Sequence, residues 1–360
     1  MANTGHGGNI KEVARQNGID YNNIIDFSSN INPLGMSSKV KDAIIDSMEE
    51  IKKYPDISYM ELKKSISEYE HIHESYLMLG NGAAEVLFNI VKALNPKKVL
   101  IPVPTFSEYK EAVECVNSKV ELYEMREETS FHICEDILDK ITNEIDLIFI
   151  CNPNNPTGTL TSKELLMKIL IKSKENNSMV LIDESFMDFV SENFSMINVL
   201  KEFENLIILK SLTKFFAIPG LRIGYGLCSN KDFISEVYKI TPAWNINILA
   251  DVATRASLED KNYIRKSIQY MEKERAFLYN SLKAFKNLIV YEPSVNFIFF
   301  KSNLDINLKL ELLKYNILIR SCSNYYGLNE CYYRVAVKGR EDNIKLIYYM
   351  KNIFDQNKKD

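Results

Sequence analysis

The chain has 360 residues, of which 46% are hydrophobic and 26% charged, and its formal net charge is −4. This composition is typical of a globular protein and excludes the disordered and fibrous classes. The slightly acidic balance argues against nucleic-acid binding, and no apolar run is long enough to span a membrane. The first ten residues show no secretory signal, and the six cysteines include no C-x-x-C pair. We therefore expect a cytoplasmic protein with reduced thiols and no metal site.

Short apolar runs alternate with helical patterns through the middle of the chain. The runs are "KKVLIPV" up to Val103, "DLIFI" (146–150), "MVLID" (179–183) and "LIILKS" (206–211). Strands that are buried on both faces have this character, and the segments between them, such as "TSKELLMKILIKSKEN", have helical spacing. This alternation predicts an α/β fold with a mostly parallel central sheet covered by helices.

The pattern changes in the last third of the chain. Residues 245–286 predict long helices, and residues 341–354 predict a closing amphipathic helix. Between them lie the predicted strands "VNFIFF" (295–300), "ILIRS" (317–321) and "YYRVAV" (332–337). We therefore predict a large α/β domain at 37–285 and a smaller α+β domain formed by 1–36, with an N-terminal arm, and 286–360.

The strongest chemical signal is "SLTKFFAIPGLRIGYG" (211–226). Lys214 follows a predicted strand, Ser211 lies three positions before it and Arg222 eight positions after it. A lysine in this position could be a Schiff-base nucleophile, and a hydroxyl with a guanidinium would suit a phosphate. The alternative is a pair of surface charges around a loop. An S-x-x-K acylation site is disfavoured because the companion S-D-N and K-T-G motifs are absent.

Three further features lie at strand ends or helix starts. "LGNGAAE" (79–85) opens a helix whose free N–H groups could hold a phosphate. "CNPNNPTG" (151–158) gathers asparagines beside a buried strand, where they require polar partners. "LIDESFMDF" (181–189) places Asp183 at the end of an apolar strand, where a carboxylate is costly unless it is paired. Each feature alone is equally compatible with a structural turn or an N-cap.

In their order along the chain these motifs resemble the fold-type I pyridoxal-phosphate enzymes of the aspartate aminotransferase superfamily. The resemblance covers nearly the whole chain and implies pyridoxal 5′-phosphate as the cofactor. It implies that Lys214 forms the Schiff base with the cofactor aldehyde, that Asp183 pairs with the pyridine nitrogen and that Asn155 donates to the phenolic oxygen. The implied ligands of the cofactor phosphate are Gly82, Ala83, Ser211 and Arg222. The implied aromatic that stacks on the ring is Phe106 or, as second choice, Tyr109.

Two groups within the superfamily are similar to this chain. "KYPD" (53–56) and "NINPLG" (30–35) resemble histidinol-phosphate aminotransferases, in which the tyrosine, here Tyr54, reaches the partner subunit's cofactor phosphate. That resemblance implies a homodimer with shared active sites. "GHGGN" (5–9), "DFSSNINPLG" (26–35), "DESF" (183–186) and "IRSCSNYYGL" (319–328) are more similar to L-threonine-O-3-phosphate decarboxylases of the cobalamin pathway. Many superfamily members have a tyrosine where this chain has Phe186, and the phenylalanine fits the decarboxylase group.

The resemblance to the decarboxylases implies a phosphorylated amino-acid substrate and the product (R)-1-aminopropan-2-yl phosphate. His6 and Asn32 would then approach the substrate phosphate. Arg320 and Arg334 would bind the phosphate and the carboxylate, and the sequence leaves open which arginine binds which group. One alternative is histidinol-phosphate transamination with 2-oxoglutarate. Another is a non-catalytic regulatory homologue that binds the cofactor, although no DNA-binding segment accompanies the fold.

Overall fold

The computed structural model describes residues 7–190 and 194–357. The strands are β1 Ile25–Asp26, β2 Leu77–Gly80, β3 Lys98–Val103, β4 Lys119–Glu124, β5 Leu147–Cys151, β6 Met179–Asp183, β7 Leu206–Ser211, β8 Gly224–Cys228, β9 Leu288–Val290, β10 Phe297–Ser302, β11 Ile317–Leu318, β12 Arg320–Ser321 and β13 Tyr332–Ala336. The helices are α1 Ile10–Asn17, α2 Ser38–Asp46, α3 Met60–Glu70, α4 Ala83–Leu94, α5 Glu108–Glu114, α6 Lys163–Glu175, α7 Leu212–Phe215, α8 Lys231–Ile240, α9 Ile248–Glu259, α10 Lys261–Lys283, α11 Leu308–Leu313 and α12 Arg340–Gln356. None of these helices is long and apolar enough to cross a membrane.

The central sheet has seven strands in the order β2-β8-β7-β6-β5-β3-β4. Strands β3 to β7 pair in parallel, and β8 is antiparallel to both of its neighbours. The residues of β5 and β7 are all buried, as are all but the first of β3 and β6. This burial explains why the strands appear in the sequence as continuous apolar runs. The predicted α/β fold with a mostly parallel sheet is confirmed.

Strand β8 was not predicted because "GYGLC" contains two glycines, which usually weaken a strand. The structure supplies the reason for the first of them. A Cβ atom on Gly224 would lie 2.4 Å from the backbone nitrogen of Ala83, at the start of α4. Glycine therefore allows the N-terminal end of α4 to pack directly on the sheet, next to the strands that carry the site.

The remaining strands form two smaller sheets. One is antiparallel, in the order β12-β13-β10-β9, and the other is the parallel pair of β1 and β11. The prediction of a single strand at 317–321 was wrong, because the run is divided between β11 and β12, which pair in different sheets. Residues 25–26 are thereby joined to the C-terminal part of the chain. The domain division at residues 37 and 286 remains a prediction.

The long helical region at 245–286 contains two helices. Asp260 separates α9 from α10 and caps α10, since its carboxylate accepts a hydrogen bond from the backbone nitrogen of Tyr263. The carboxyl ends of β3, β5, β6 and β7 meet at one edge of the central sheet. Ligands of open α/β sheets bind at this edge, and the predicted motifs follow these four strands.

Candidate active site

Lys214 lies in the short helix α7, three residues beyond the end of β7. Its side chain is half-buried, and burial lowers the pKa of the ammonium group, while the negative charge of Asp183 opposes this change. The positive charge of Arg222 lowers the pKa further. The Nζ atom lies 5.3 Å from the ring centroid of Phe186. An amine whose neutral form is favoured in this way is suited to act as a nucleophile.

Asp183 ends β6, and its carboxylate is 5% exposed. The hydroxyl of Tyr109 donates to Oδ2 at 2.7 Å, and the backbone nitrogen of Ser185 donates to Oδ1 at 2.8 Å. The ring of Tyr109 is stacked on Phe149, with centroids 4.9 Å apart, and Phe106 packs edge-on against it at 5.8 Å. Phe106 is half-buried, so it remains the better candidate for stacking on a bound ring.

The asparagines of the turn after β5 have the polar partners that the sequence requires. Asn152 Oδ1 accepts from the backbone nitrogen of Thr161, and Asn154 Nδ2 donates to the carbonyl of Pro104. The Oδ1 atom of Asn155 accepts from Nη1 of Arg334, and the hydroxyl of Tyr325 lies 3.4 Å from the same atom. With its oxygen engaged by Arg334, Asn155 would meet the phenolic oxygen of the cofactor through its Nδ2 group.

The predicted phosphate ligands meet at the start of α4. Gly82 has φ +89°, and a Cβ atom there would lie 2.7 Å from Nη2 of Arg222. The Gly82 amide donates to the carbonyl of Gly80, which leaves the Ala83 amide, at the first residue of α4, as the better candidate donor. The Ser211 hydroxyl bonds to that of Thr213 at 3.0 Å, a polar neighbour that the motif analysis did not single out.

Arg334 on β13 and Arg320 on β12 are direct cross-strand partners. Arg334 is 5% exposed, and burial lowers its pKa. Its Nη2 donates to the carbonyl of Ser28 at 2.9 Å, and its Nη1 donates to the side-chain oxygen of Asn155. Both of these acceptors are neutral. Its Nε atom is buried without a partner among the described residues. Arg320 donates to Asn324 and lies over the ring of Tyr325.

The other predicted site residues lie in different environments. Asn32 is buried, and its Nδ2 donates to the carbonyl of Phe215 and to the hydroxyl of Ser267. Its backbone nitrogen donates to the carbonyl of Lys214, so it borders the site. Tyr54 is 82% exposed, and its ring lies 5.0 Å from that of Trp244. His6 lies outside the described residues.

These surroundings fit the cofactor that the sequence resemblance implies. A half-buried amine with a lowered pKa suits an aldehyde, and a carboxylate held by two donors suits a protonated ring nitrogen. Because Gly82 has no Cβ atom, its backbone can lie close to the guanidinium of Arg222. This arrangement suits a phosphate bound by backbone and guanidinium groups. No group of three or more His, Cys, Asp or Glu residues that could hold a metal occurs within 7–190 and 194–357.

The chain was compared with known proteins. The model of the family "Aminotransferase class I and II" matches residues 22–347. Threonine-phosphate decarboxylase from Salmonella typhimurium is 36% identical over 98% of this chain and 97% of its own length. An adenosylcobalamin biosynthesis bifunctional protein from Leptospira interrogans is 35% identical over 97% of this chain and 41% of its own length. The crystal structure of histidinol-phosphate aminotransferase from Clostridium acetobutylicum superposes with a TM-score of 0.87 at 33% identity, covering 92% of this chain and 99% of that one.

Proposed function

This chain belongs to the class I and II aminotransferase family, and we propose that it is a pyridoxal-phosphate-dependent decarboxylase of L-threonine O-3-phosphate. The product would be (R)-1-aminopropan-2-yl phosphate, and the reaction would serve cobalamin biosynthesis in the cytoplasm. The names of the Salmonella and Leptospira relatives support the reaction and the pathway. The division of the chain at residues 37 and 286 is part of the same proposal.

The pair formed by Arg320 and Arg334 carries the proposal. Like charges directly opposite one another on neighbouring strands are destabilising. Arg334 is buried, with neutral hydrogen-bond acceptors and an unpartnered Nε atom. A substrate with two anionic groups, a phosphate ester and an α-carboxylate, would neutralise both guanidinium groups. L-Threonine O-3-phosphate carries both groups on neighbouring carbons.

The roles of the chain's residues follow from their surroundings. Pyridoxal phosphate, when bound, supplies an electron-accepting ring for the electron pair that carbon dioxide leaves at Cα. Asp183, held by two donors, would keep the ring nitrogen protonated. Lys214 would bind the cofactor and then return a proton from Nζ to Cα of the product. The arginines would orient the substrate so that the bond from Cα to the carboxylate, rather than the Cα–H bond, is the one that breaks.

Histidinol-phosphate transamination is the second candidate. It is favoured by the aminotransferase structure from Clostridium acetobutylicum, with its TM-score of 0.87 and 33% identity. Both reactions would use Lys214 and Asp183, so the machinery at the sheet edge does not distinguish them. They differ in the bond that is broken and in the need for a keto-acid acceptor.

The deciding experiment is to incubate the cofactor-loaded protein with L-threonine O-3-phosphate, without a keto acid, and to measure carbon dioxide. We expect catalytic release that Lys214→Ala abolishes and that Lys231→Ala, which removes an exposed lysine at the start of α8, leaves unchanged. If carbon dioxide is absent and histidinol phosphate with 2-oxoglutarate yields glutamate, the decarboxylase proposal is wrong and the aminotransferase replaces it.

We also propose that the protein is a homodimer that shares its active sites. An exposed apolar surface supports this proposal, and its members are Ile45, Met48, Ile51, Tyr54, Ile57, Met60 and Trp244. A second copy of the chain would bury this surface and would bring Tyr54 to the partner's cofactor phosphate. Six of these side chains lie within 45–60 of the sequence and Trp244 packs against Tyr54, and exposed apolar groups clustered in this way are typical of interaction sites.

Sharing can be tested by mixing inactive variants. If Tyr54 acts across the interface, a heterodimer of Tyr54→Ala and Lys214→Ala chains contains one intact site and regains activity. If Tyr54 acts within its own subunit, every site has one defect and no activity returns. Sedimentation of the unmixed protein as a monomer at micromolar concentration would exclude the dimer itself.

A further inference from the structure

Tyr109 contacts both of the groups that are expected to hold the cofactor ring. Its hydroxyl donates to Oδ2 of Asp183 at 2.7 Å, and its ring supports the edge of Phe106 at a centroid distance of 5.8 Å. Through Asp183, Tyr109 would act on the nitrogen at the edge of a bound cofactor ring. Through Phe106, it would act on the face of that ring. In the sequence, Tyr109 is indicated only as an aromatic that could stack on the cofactor.

The position of Tyr109 is strongly constrained. The residue is 1% exposed, and its ring is stacked on Phe149 with an interplanar angle of 9°. Burial raises the pKa of the phenol well above its usual value, so the hydroxyl keeps its proton and acts as a donor at every working pH. A donor fixed in this way orients the carboxylate of Asp183 and does not compete with it for a proton.

The groups around the Asp183 carboxylate determine what the phenol contributes. Oδ1 already accepts from the backbone nitrogen of Ser185, and Tyr109 is the side-chain donor to Oδ2. The buried thiol of Cys151 has its pKa raised to about 12 and is therefore neutral. Lys214 is the cation of the site whose charge interacts with Asp183. The phenol therefore fixes Oδ2 through a hydrogen bond, while Lys214 interacts with the carboxylate through its charge.

We propose that Tyr109 is a positioning residue that holds the carboxylate of Asp183 where it can meet the cofactor's ring nitrogen, while its own ring supports Phe106. This role rests on the proposed function, because it presupposes a ring whose nitrogen Asp183 keeps protonated. The same residue would thus set the ring's electronic state and its tilt. Tyr109 transmits both effects without touching the substrate.

The test is Tyr109→Phe, which removes one hydroxyl and keeps the ring that stacks on Phe149. Hydrogen bonds to charged groups are stronger than neutral ones, so we expect kcat to fall about 10- to 100-fold. KM should change by less than about threefold, because Tyr109 does not meet the substrate. The absorption of the cofactor bound to Lys214 should change as well, because the carboxylate that meets the ring nitrogen has lost the donor to its Oδ2 atom.

The matched control is Tyr123→Phe. Tyr123 on β4 also donates to an aspartate, the exposed Asp136, in a partly buried hydrogen bond away from the carboxyl ends of β5 to β7. This variant loses a hydrogen bond of the same chemical kind and should keep the wild-type kcat and cofactor absorption. If Tyr109→Phe behaves like this control, the positioning role is refuted. A fall in kcat with an unchanged cofactor absorption refutes it too, because loss of packing alone would give that result.

A spectroscopic measurement separates this proposal from the proposed function. The absorption band of the cofactor bound to Lys214 can be titrated with pH in the absence of any substrate. We expect Tyr109→Phe to change this titration and to weaken cofactor binding about tenfold, whereas Tyr123→Phe changes neither. Both effects are measurable even if the wild-type protein releases no carbon dioxide, so failure of the decarboxylase assay would leave the role of Tyr109 testable. An unchanged titration would overturn it.

Discussion

Glu184, the residue after Asp183, offers a quantitative test of the electrostatics beneath the site. It is fully buried, and its carboxylate accepts from the hydroxyl of Ser195 and the backbone nitrogen of Met196. Burial raises its pKa from the ordinary 4.5 to about 7, against the opposing charge of Lys210. Because the folded state binds this proton more tightly than the unfolded state, this contribution to stability is fully present below pH 4.5. It is lost as the pH rises to 7.

The size of the effect follows from the pKa difference. Each unit corresponds to 1.36 kcal/mol, so the contribution of Glu184 to the free energy of unfolding falls by about 3 kcal/mol across this window. Glu184→Gln removes the titration. The substitution also costs a hydrogen bond, because an amide offers only one acceptor oxygen, but this cost is the same at every pH. We therefore expect the stability of the variant relative to wild type to rise by about 3 kcal/mol between pH 4.5 and 8.

The assay is urea unfolding of both proteins, loaded with cofactor, at several pH values between 4.5 and 8. Glu164→Gln, at an exposed position in the first turn of α6, is the control for replacing a carboxylate by an amide elsewhere in the chain. A constant difference for Glu184→Gln, within about 0.5 kcal/mol, would show that burial does not raise the pKa of Glu184. The reasoning from burial would then be wrong.

Two further substitutions test the binding groups. Gly82→Ala should weaken cofactor binding about tenfold or more, because a Cβ atom would collide with Arg222 and φ is +89°. Gly220→Ala, where nothing lies within 4 Å of the added Cβ, should leave the dissociation constant unchanged when both are measured by fluorescence titration. Arg334→Lys keeps the charge but loses the planar donor pair that meets Ser28 and Asn155. Steady-state kinetics should show KM for the phosphorylated substrate raised about tenfold or more, and an unchanged KM would contradict substrate binding by Arg334.

The local sequence pattern was sufficient to predict the strands that carry the site. The runs at 179–183 and 206–211 coincide with β6 and β7, because a strand that is buried on both faces must be apolar at consecutive positions. The motif residues that follow these strands, Asp183 and Lys214, are consequently brought to one edge of the sheet. The negative charge of Asp183 acts on Lys214 and opposes the lowering of its pKa by burial, and this proximity is a consequence of that parallel order.

Other features depend on contacts between distant parts of the chain. The bond from Tyr109 to Asp183 joins residues that are 74 positions apart, and nothing in "PTFSEY" indicates which aromatic faces a carboxylate. The opposition of Arg320 and Arg334 requires that the run at 317–321 change from one sheet to another, which hydrophobic spacing does not encode.

The fold class, the chain order of the strands that carry the motifs and the identity of the chemical groups could therefore all be predicted from the amino-acid pattern. Periodicity and residue type act over a few neighbouring positions, and these properties are local. Which group supports which other group, including the role of Tyr109 and the pairing of the two arginines, depends on how the whole chain packs. Side-chain hydrogen bonds and charge pairs depend on distances of a few ångströms, and packing of the whole chain sets those distances.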